Sequence, residues 1–361
     1  MICDERLTDA LLQVELTLDG FAADAAARAE MRSPEYGRLW LAIRSALAGG
    51  KRVRPRLLLE TFMQLRGDSA GDDAEASDEH AVQLAAAVEL LHTALLVHDD
   101  IIDGDRERRG ALNVIGTFEQ AARAAGRSHA VTTRWGSTAG ILAGDLLLAA
   151  AVRMSALPGI DRERAMRIGA LFDESLFRAA AGELADVAFA SALTLPSADD
   201  IRAMMIDKTA HYSLEMPVRA AAVLAGAAPE LEAQVGEIGR SLGVLFQMTD
   251  DLLGVFGDTR HTGKSTQGDL REGKQTLLVA FARETPAWES AAGSFGDARL
   301  DDAGADALRT ALEASGARAR FEADIAEEHA RVHRLIADSA LPGGLRRVLA
   351  RTADRAKDRR S

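Results

Sequence analysis

The sequence predicts an all-α protein. Hydrophobic residues make up 47% of its 361 residues and aromatic residues only 4%, so we expect a core of Ala, Leu and Val on helices rather than of aromatic and β-branched strands. Apolar residues also recur at three- and four-residue spacing, the period of an amphipathic helix. No segment alternates apolar and polar residues over several positions, and no sheet is therefore predicted.

The first half of the chain contains five predicted helices. Gly49 and Gly50 end the second one, and Pro55 fits the first turn of the third because its missing N–H would have no partner there anyway. A small, polar and acidic stretch at 67–79 is predicted to be a solvated loop. The predicted helices cover residues 7–29, 36–48, about 55–65, 80–103 and 137–156.

The second half continues the helical pattern around a glycine-rich, charged break at 257–274. Ser197 and Asp200 have the spacing of a capping box, which predicts the start of a helix. The strongly basic tail, 341–361, is interpreted as a solvated helical face. The predicted helices cover residues 162–190, 199–225, 230–256 and 275–283.

Charge and cysteine content argue against several classes of protein. Lys and Arg total 43 against 55 Asp and Glu, a net charge of −12, which disfavours a nucleic-acid partner. Cys3 is the sole cysteine, so we expect no internal disulfide and no cysteine-based zinc site, as fits a cytosolic protein. The charged start at 1–9 is not typical of a secretory signal. The longest apolar stretch, 81–97, includes Glu89 and runs into Asp99, and we interpret it as a buried core helix rather than a membrane span.

Two apolar runs each end in paired aspartates. Asp99 and Asp103 lie four residues apart and share one face of a predicted helix, with Asp100 offset by one residue. Asp250 and Asp251 follow the second run. Clustered carboxylates repel one another unless a cation neutralises them, and hard oxygen ligands suit Mg²⁺. Facing clusters could hold Mg²⁺ between them with a bridging diphosphate, whereas one such cluster alone could equally be a solvated helix end.

Basic residues occur near the glycine breaks and the aspartates. Arginine forks and lysine ammonium groups are common ligands of diphosphate oxygens, although each group alone would more commonly be a solvated charge run. Their shared position beside the aspartate clusters favours diphosphate binding. The three groups are Lys51, Arg52 and Arg54; Arg108 and Arg109; and Lys264 and Lys274.

Several motifs occur together, in order, from about residue 39 to 280: GGKRVRP, ELLHTALLVHDDIID, RRG, GDLLL, KTA, FQMTDD and GKSTQGDLREGK. In this combination the chain resembles the trans-type polyprenyl synthetases, specifically the bacterial short-chain synthases of the geranylgeranyl diphosphate kind. The resemblance implies one domain over 1–361, a large helical bundle around a central cavity with C-terminal helices to 361. It also implies Mg²⁺ as cofactor, three ions with diphosphate bound, and a cytoplasmic homodimer without a transmembrane segment.

The resemblance also implies roles for individual residues. Asp99, Asp100, Asp103, Asp250 and Asp251 match the Mg²⁺ ligands. Lys51, Arg54, His92 and Arg109 match the isopentenyl diphosphate pocket, although His92 on its own would be read as a satisfied core histidine. Arg108, Lys208, Lys264 and Lys274 match the clamp on the allylic diphosphate. Thr209 and Gln247 match positions that face the allylic cation and help to remove the final proton.

The implied reaction ionises the allylic carbon–oxygen bond, adds the double bond of isopentenyl diphosphate to the cation and removes a proton. A class I terpene cyclase is a rival, but it needs no second diphosphate pocket of the kind that GGKRVRP and Arg109 predict. A non-catalytic partner subunit is a second rival, which should have lost aspartates or clamp residues that are intact here. In one departure, Gly254 stands where the third carboxylate of the second motif is usual. We expect Gly254→Asp to change turnover little or to raise it.

Product length is predicted from the helical turn before Asp99. Leu95 and Ala94 lie about one turn, or ~5.4 Å, further down the helix and should flank the growing tail. Relatives that stop at fifteen carbons commonly carry an aromatic ring at one or both positions. The smaller residues here predict mainly geranylgeranyl diphosphate, with farnesyl or longer products, of twenty-five carbons or more, as the alternative. Ala94 could instead face another helix.

Overall fold

The structure, a computed structural model, describes residues 2–66, 77–257 and 266–358. Nearly all regular structure in these residues is helical, which confirms the predicted all-α class. The chain divides into two compact units. The first comprises Met1–Phe172 and Ala220–Gly226, and the second comprises Asp173–Arg219 and Ala227–Ser361. The single domain expected over 1–361 stays a prediction.

The first unit is built around a close pair of long helices, α4 and α6, with the other helices packed beside them. Small residues allow this close approach, since a Cβ added at Gly144 of α6 would lie 2.1 Å from the His98 ring of α4. The helices are α1 (Ile2–Glu30), α2 (Pro34–Leu47), α3 (Val53–Arg66), α4 (Asp78–Ile102), α5 (Val114–Ala124) and α6 (His129–Ser155).

A very short hairpin interrupts the helical pattern after α4. Strand β1 (Glu107–Arg108) pairs antiparallel with β2 (Ala111–Leu112), so the expectation of no sheet was wrong at this one place. The turn residues Arg109 and Gly110 have φ of 55° and 74°, as a tight two-residue hairpin turn requires. Strands this short carry no alternation that a sequence pattern would reveal.

The second unit begins within α7 (Arg162–Ala190), whose predicted bounds are confirmed. Its core places α10 against the segment after α8 and against the C-terminal helices. The elements from α8 onward are α8 (Ala198–Met205), a π-helix (Ile206–Glu215), α9 (Met216–Leu224), α10 (Pro229–Phe256), α11 (Gly268–Glu272), α12 (Leu277–Ala282), α13 (Pro286–Glu289), a short 3₁₀ turn (Ala292–Ser294), α14 (Asp302–Ala314), α15 (Ala317–Asp338) and α16 (Gly343–Lys357). The part of α9 from Ala220 onward belongs to the first unit.

The predicted capping box at α8 is confirmed. The Asp200 backbone N–H donates to the Ser197 hydroxyl at 3.2 Å, and the Ser197 backbone N–H donates to the Asp200 carboxylate at 2.9 Å. Other helix bounds differ from the prediction. Helix α6 begins at His129 rather than at 137, and α5 was not predicted. Most of the predicted loop at 67–79 lies outside the described residues.

Among the residues that the structure describes, two helices, α4 and α6, are long and apolar enough to cross a membrane, by length and composition only. Within their most apolar windows, 67% of the residues of α4 and 44% of those of α6 are buried inside the protein. Because α4 packs directly against α6, their apolar surface is used in the core of the first unit. This arrangement supports the interpretation of 81–97 as a core helix.

Candidate active site

The first acidic cluster lies at the C-terminal end of α4. Asp103 caps the helix, and its backbone N–H donates to the Asp99 carbonyl at 2.8 Å. The side chains of Asp99 and Asp103 are partly exposed, whereas that of Asp100 is 2% exposed. The two accessible carboxylates therefore share one face, as the four-residue spacing predicted.

Arg108 reaches back from the hairpin to this cluster. Its Nη2 and Nε donate to Asp100 Oδ1 at 2.5 and 2.9 Å, and its Nη2 lies 3.6 Å from Asp99 Oδ2. Burial raises the pKa of Asp100 above its ordinary value, although the hydrogen bond from Arg108 opposes that shift. Asp100 thus orients Arg108, while Asp99 and Asp103 remain more accessible to an ion.

The hairpin is fixed to α5 through Asn113. The Asn113 side chain accepts a hydrogen bond from the Gly116 N–H at 2.8 Å and donates to the Asp105 carbonyl at 2.9 Å. A Cβ added at Gly116 would lie 2.1 Å from the Arg106 carbonyl oxygen. Glycine at 116 therefore lets the hairpin dock closely, which positions both Arg108 and Arg109.

The loop between α2 and α3 is fixed by Arg52, one of the three basic residues that follow the glycine break. Arg52 is 8% exposed, and its guanidinium donates to Glu15, to Glu89 and to the Leu47 carbonyl at 2.5 to 2.8 Å. Arg52 also has a φ of 46°, a strained conformation for a residue with a side chain. These contacts make Arg52 an anchor, while its neighbour Lys51 is exposed.

Three of the four residues predicted for the isopentenyl diphosphate pocket, His92, Arg54 and Arg109, lie together. The pKa of the His92 imidazole is well below its ordinary 6.5, first because the ring is buried and then because of the nearby charges of Arg54, Arg108 and Arg109. The Arg109 guanidinium also lies over Gly50, where an added Cβ would be 3.0 Å from its Nη atoms. A neutral His92 inside a group of arginines is an environment that favours an anion.

The two residues expected to flank the product tail differ in accessibility. Leu95 is partly exposed, whereas Ala94 is fully buried at 0%. At 100° per residue, Ala94 lies about 140° around the helix from Asp99. It is one turn before His98, the residue against which Gly144 of α6 packs. The structure therefore supports Leu95 more directly than Ala94 as a tail-lining residue.

The second acidic cluster lies near the C-terminal end of α10. Asp251 is 8% exposed and accepts a hydrogen bond from the Gln247 side-chain amide at 2.7 Å, while Asp250 is partly exposed. Burial raises the pKa of Asp251 well above its ordinary value, and the negative charges of Asp269 and Asp250 raise it further. Gln247, predicted to face the allylic cation, here contacts an acidic side chain.

Sequence reasoning missed Asp269 of α11. A Cβ added at Gly254 would lie 2.1 Å from Asp269 Oδ2 and 3.1 Å from its Cγ. The Asp269 carboxylate thus occupies the space where the third carboxylate of the second motif would begin. The expectation that Gly254→Asp changes turnover little or raises it stays a prediction, and the structure argues against it because the new side chain would crowd the Asp269 carboxylate and add like charge. Asp269 lies within the motif GKSTQGDLREGK, between the two lysines predicted to bind the allylic diphosphate.

Lys208 and Lys274, two of the residues predicted to bind the allylic diphosphate, both lie close to carboxylates. Lys208 lies in the π-helix, and its Nζ is 2.6 Å from Asp186 Oδ2 and 3.0 Å from Glu183 Oε2, both on α7. A Cβ at Gly182 would lie 2.2 Å from the Lys208 backbone N, so the π-helix packs closely on α7. Lys274 Nζ lies 3.7 Å from Asp269 Oδ1. Thr209 is partly exposed, and Lys264 lies outside the described residues.

The residues of both clusters fit Mg²⁺. Each supplies partly exposed carboxylates, and in the second unit burial, followed by the negative charges of Asp269 and Asp250, raises the pKa of Asp251. A hard divalent cation relieves that repulsion. These ligand assignments, like the substrate contacts, remain predictions.

Comparisons with known proteins agree with this chemistry. Residues 39–295 match the polyprenyl synthetase family. The chain is 38% identical over 238 residues to geranylfarnesyl diphosphate synthase of Aeropyrum pernix, covering 65% of this chain and 67% of the relative. It is 35% identical to geranylgeranyl diphosphate synthase of Saccharolobus solfataricus, covering 64% of this chain and 62% of the relative.

A solved structure extends the likeness over nearly the whole fold. Geranylgeranyl pyrophosphate synthase from Corynebacterium glutamicum, crystallised with isoprenyl diphosphate and magnesium, matches with a TM-score of 0.85 and 27% sequence identity. The match covers 96% of this chain and 99% of that one. A polyprenyl synthase from Caulobacter crescentus, complexed with calcium and isoprenyl diphosphate, matches with a TM-score of 0.75 and the same 27% identity.

Proposed function

The chain belongs to the polyprenyl synthetase family of trans-prenyltransferases, and we propose that it condenses isopentenyl diphosphate with an allylic diphosphate to give mainly geranylgeranyl diphosphate. The observation that carries this proposal is the group of arginines around the neutral His92, beside the aspartates that end α4. A diphosphate needs cationic side chains for its oxygens and a carboxylate-held metal for its remaining charge.

In this proposal Arg54, His92 and Arg109, with Lys51, bind isopentenyl diphosphate. The neutral His92 ring donates a hydrogen bond without adding charge, so that the arginines supply the neutralisation. Arg52 holds the loop through Glu15 and Glu89 and does not touch substrate. Lys51, Arg52 and Arg54 are thus neighbours in sequence with different roles, because Arg52 holds the loop and the other two bind substrate.

Arg108, Lys208 and Lys274, together with Lys264, bind the allylic diphosphate. Arg108 is oriented for that task by Asp100, and Lys208 by Asp186 and Glu183. Thr209 and Gln247 assist removal of the final proton, with Gln247 positioned by its bond to Asp251. No nucleophilic Ser or Cys takes part.

Mg²⁺ is held by Asp99 and Asp103 on α4 and by Asp250 and Asp251 on α10, with three ions expected when diphosphate is bound. When bound, the metal neutralises the departing diphosphate. We further propose that Asp269 acts in place of the third carboxylate that Gly254 lacks. Its oxygen lies within 2.1 Å of the position that a Cβ at 254 would take.

A geranylfarnesyl product is the second candidate. The relative from Aeropyrum pernix carries that name and is 38% identical to this chain, and Leu95, Leu91 and Leu90 place no aromatic ring in the turns before Asp99. Twenty carbons remain the main expectation, because geranylgeranyl synthases are named among both the relatives and the solved structures.

We propose a homodimer in the cytoplasm as its working form, acting on small diphosphates and not on nucleic acid, in keeping with the net charge of −12. A terpene cyclase has no use for the arginine group around His92. A non-catalytic partner subunit would not need the accessible Asp99 and Asp103.

The proposal is tested by incubating the purified protein with labelled isopentenyl diphosphate, Mg²⁺ and each of three allylic primers of ten, fifteen and five carbons. We expect labelled twenty-carbon diphosphate from every primer that is accepted. Cyclic hydrocarbon formed without isopentenyl diphosphate would instead identify a cyclase, and no turnover with any primer would support the non-catalytic subunit.

A further inference from the structure

Three metal-ligating side chains meet between the last two helices of the second unit. His329 and His333 lie on α15 and Asp354 on α16, and these two helices pack against each other. His329 Nε2 is 2.9 Å and His333 Nε2 is 3.0 Å from the same oxygen, Asp354 Oδ1. None of the three belongs to the residues predicted to bind substrate or Mg²⁺.

The sequence places the two histidines on one face of α15 because they are four residues apart. Their rings meet edge to face with centroids 4.6 Å apart, which holds both Nε2 atoms toward α16. One nitrogen from each ring and one Asp354 oxygen lie within 4.8 Å of one another. That spacing allows three ligand atoms to contact one metal ion.

The site can be reached from solvent and retains its negative charge. The side chains of His329, His333 and Asp354 are 18%, 38% and 53% exposed. Burial alone would raise the pKa of Asp354, but the hydrogen bonds with the two histidines outweigh it and leave that pKa below its ordinary value. Asp354 is therefore an ionised, negatively charged ligand at neutral pH.

We propose that His329, His333 and Asp354 form a binding site for a divalent transition-metal ion, most suitably Zn²⁺. Two imidazole nitrogens and one carboxylate oxygen are ligands of Zn²⁺, whereas Mg²⁺ prefers oxygen alone. Three protein ligands leave a fourth position for water. Because the ligands come from two helices, the ion fastens α15 to α16 and stabilises the folded chain by mass action.

Calorimetric titration of the chelator-treated, dialysed full chain with Zn²⁺ tests the proposal. Millimolar Mg²⁺ is kept in the buffer so that the acidic clusters are occupied by their own ion. We expect one Zn²⁺ per chain, with affinity lowered by roughly tenfold or more in His333→Ala and in Asp354→Asn. His129→Ala, which removes an exposed histidine on α6, is the matched control and should bind Zn²⁺ like the parent.

Thermal unfolding supplies a second readout. Zn²⁺ should raise the Tm of the parent chain and of His129→Ala but not that of His333→Ala. Equal Zn²⁺ affinity in the parent, His333→Ala and Asp354→Asn would overturn the proposal, because binding would then occur elsewhere. Absence of Zn²⁺ binding to the parent would also overturn it and would leave the three residues as a hydrogen-bonded cluster.

Discussion

Gly254→Ala is the sharpest probe of the second acidic cluster. The added Cβ would lie 2.1 Å from Asp269 Oδ2, whereas non-bonded heavy atoms prefer about 3.5 Å or more. The carboxylate must therefore move by roughly 1 Å or more. Overpacking of this kind costs about 1–3 kcal/mol, and we expect the lower end because a short side chain can rotate.

That displacement should weaken Mg²⁺ binding. If about 1 kcal/mol of the strain opposes the metal-bound geometry, the Mg²⁺ concentration for half-maximal turnover rises about fivefold. Magnesium titrations of turnover and of binding heat measure this directly. Gly169→Ala is the matched control, because it changes a helical glycine with nothing within 4 Å of its added Cβ.

A double substitution separates crowding from charge. Gly254→Asp alone should impair Mg²⁺ binding through clash and repulsion, and Gly254→Asp combined with Asp269→Ala should recover much of it, because one carboxylate then replaces the other. An unchanged Mg²⁺ dependence in Gly254→Ala, or a double variant worse than both single ones, would refute the assignment of Asp269.

Four other predictions follow from the site and its surroundings. Asp103→Asn should lower turnover by orders of magnitude in a steady-state assay, since metal-assisted stabilisation of the leaving group is worth several kcal/mol; near-normal turnover would make the first cluster a solvated helix end. Arg54→Ala should mainly raise the KM for isopentenyl diphosphate and Lys274→Ala that for the allylic substrate, and equal effects on both constants would contradict the two pockets. Because Ala94 is fully buried and Leu95 is partly exposed, Leu95→Phe rather than Ala94→Phe should shorten the product toward fifteen carbons by chain-length analysis, and an unchanged product spectrum with normal turnover would show that another helix limits the tail. Glu215→Gln should lower the free energy of unfolding at neutral pH by roughly 3 kcal/mol. Burial would raise the Glu215 pKa, but hydrogen bonds from Arg240 and His211 outweigh it and lower that pKa from 4.5 to about 2. Urea titrations should show the full difference in stability above pH 4.5 and a shrinking one toward pH 2, and a pH-independent difference would contradict the prediction.

Much of the fold could be predicted because its helices carry strong periodicity and clear ends. The bounds of α7 and the capping box of α8 are confirmed. The hairpin was missed because two-residue strands have no pattern of their own, and its two-residue turn places Arg109, which is not a typical turn residue, at positive φ. The π-helix was missed because its close contact with Gly182 is tertiary.

The site residues were predictable by type but not by partner. Charge and spacing selected Arg52 and Arg54 equally, and the structure separates them because Arg52 has Glu15 and Glu89 within hydrogen-bonding distance. Likewise, Gly254 looked like a lost ligand in the sequence. Only the approach of α11 to α10 shows that Asp269 occupies the space.

If metal held by carboxylates drives prenyl transfer, product formation must depend on Mg²⁺. Formation of twenty-carbon diphosphate from labelled isopentenyl diphosphate and a fifteen-carbon allylic primer is followed in chelator and then after Mg²⁺ is restored. We predict no product in chelator and full recovery with Mg²⁺, because a diphosphate would then meet bare, negatively charged carboxylates with no metal to neutralise the leaving group. Undiminished product formation in excess chelator would contradict the account.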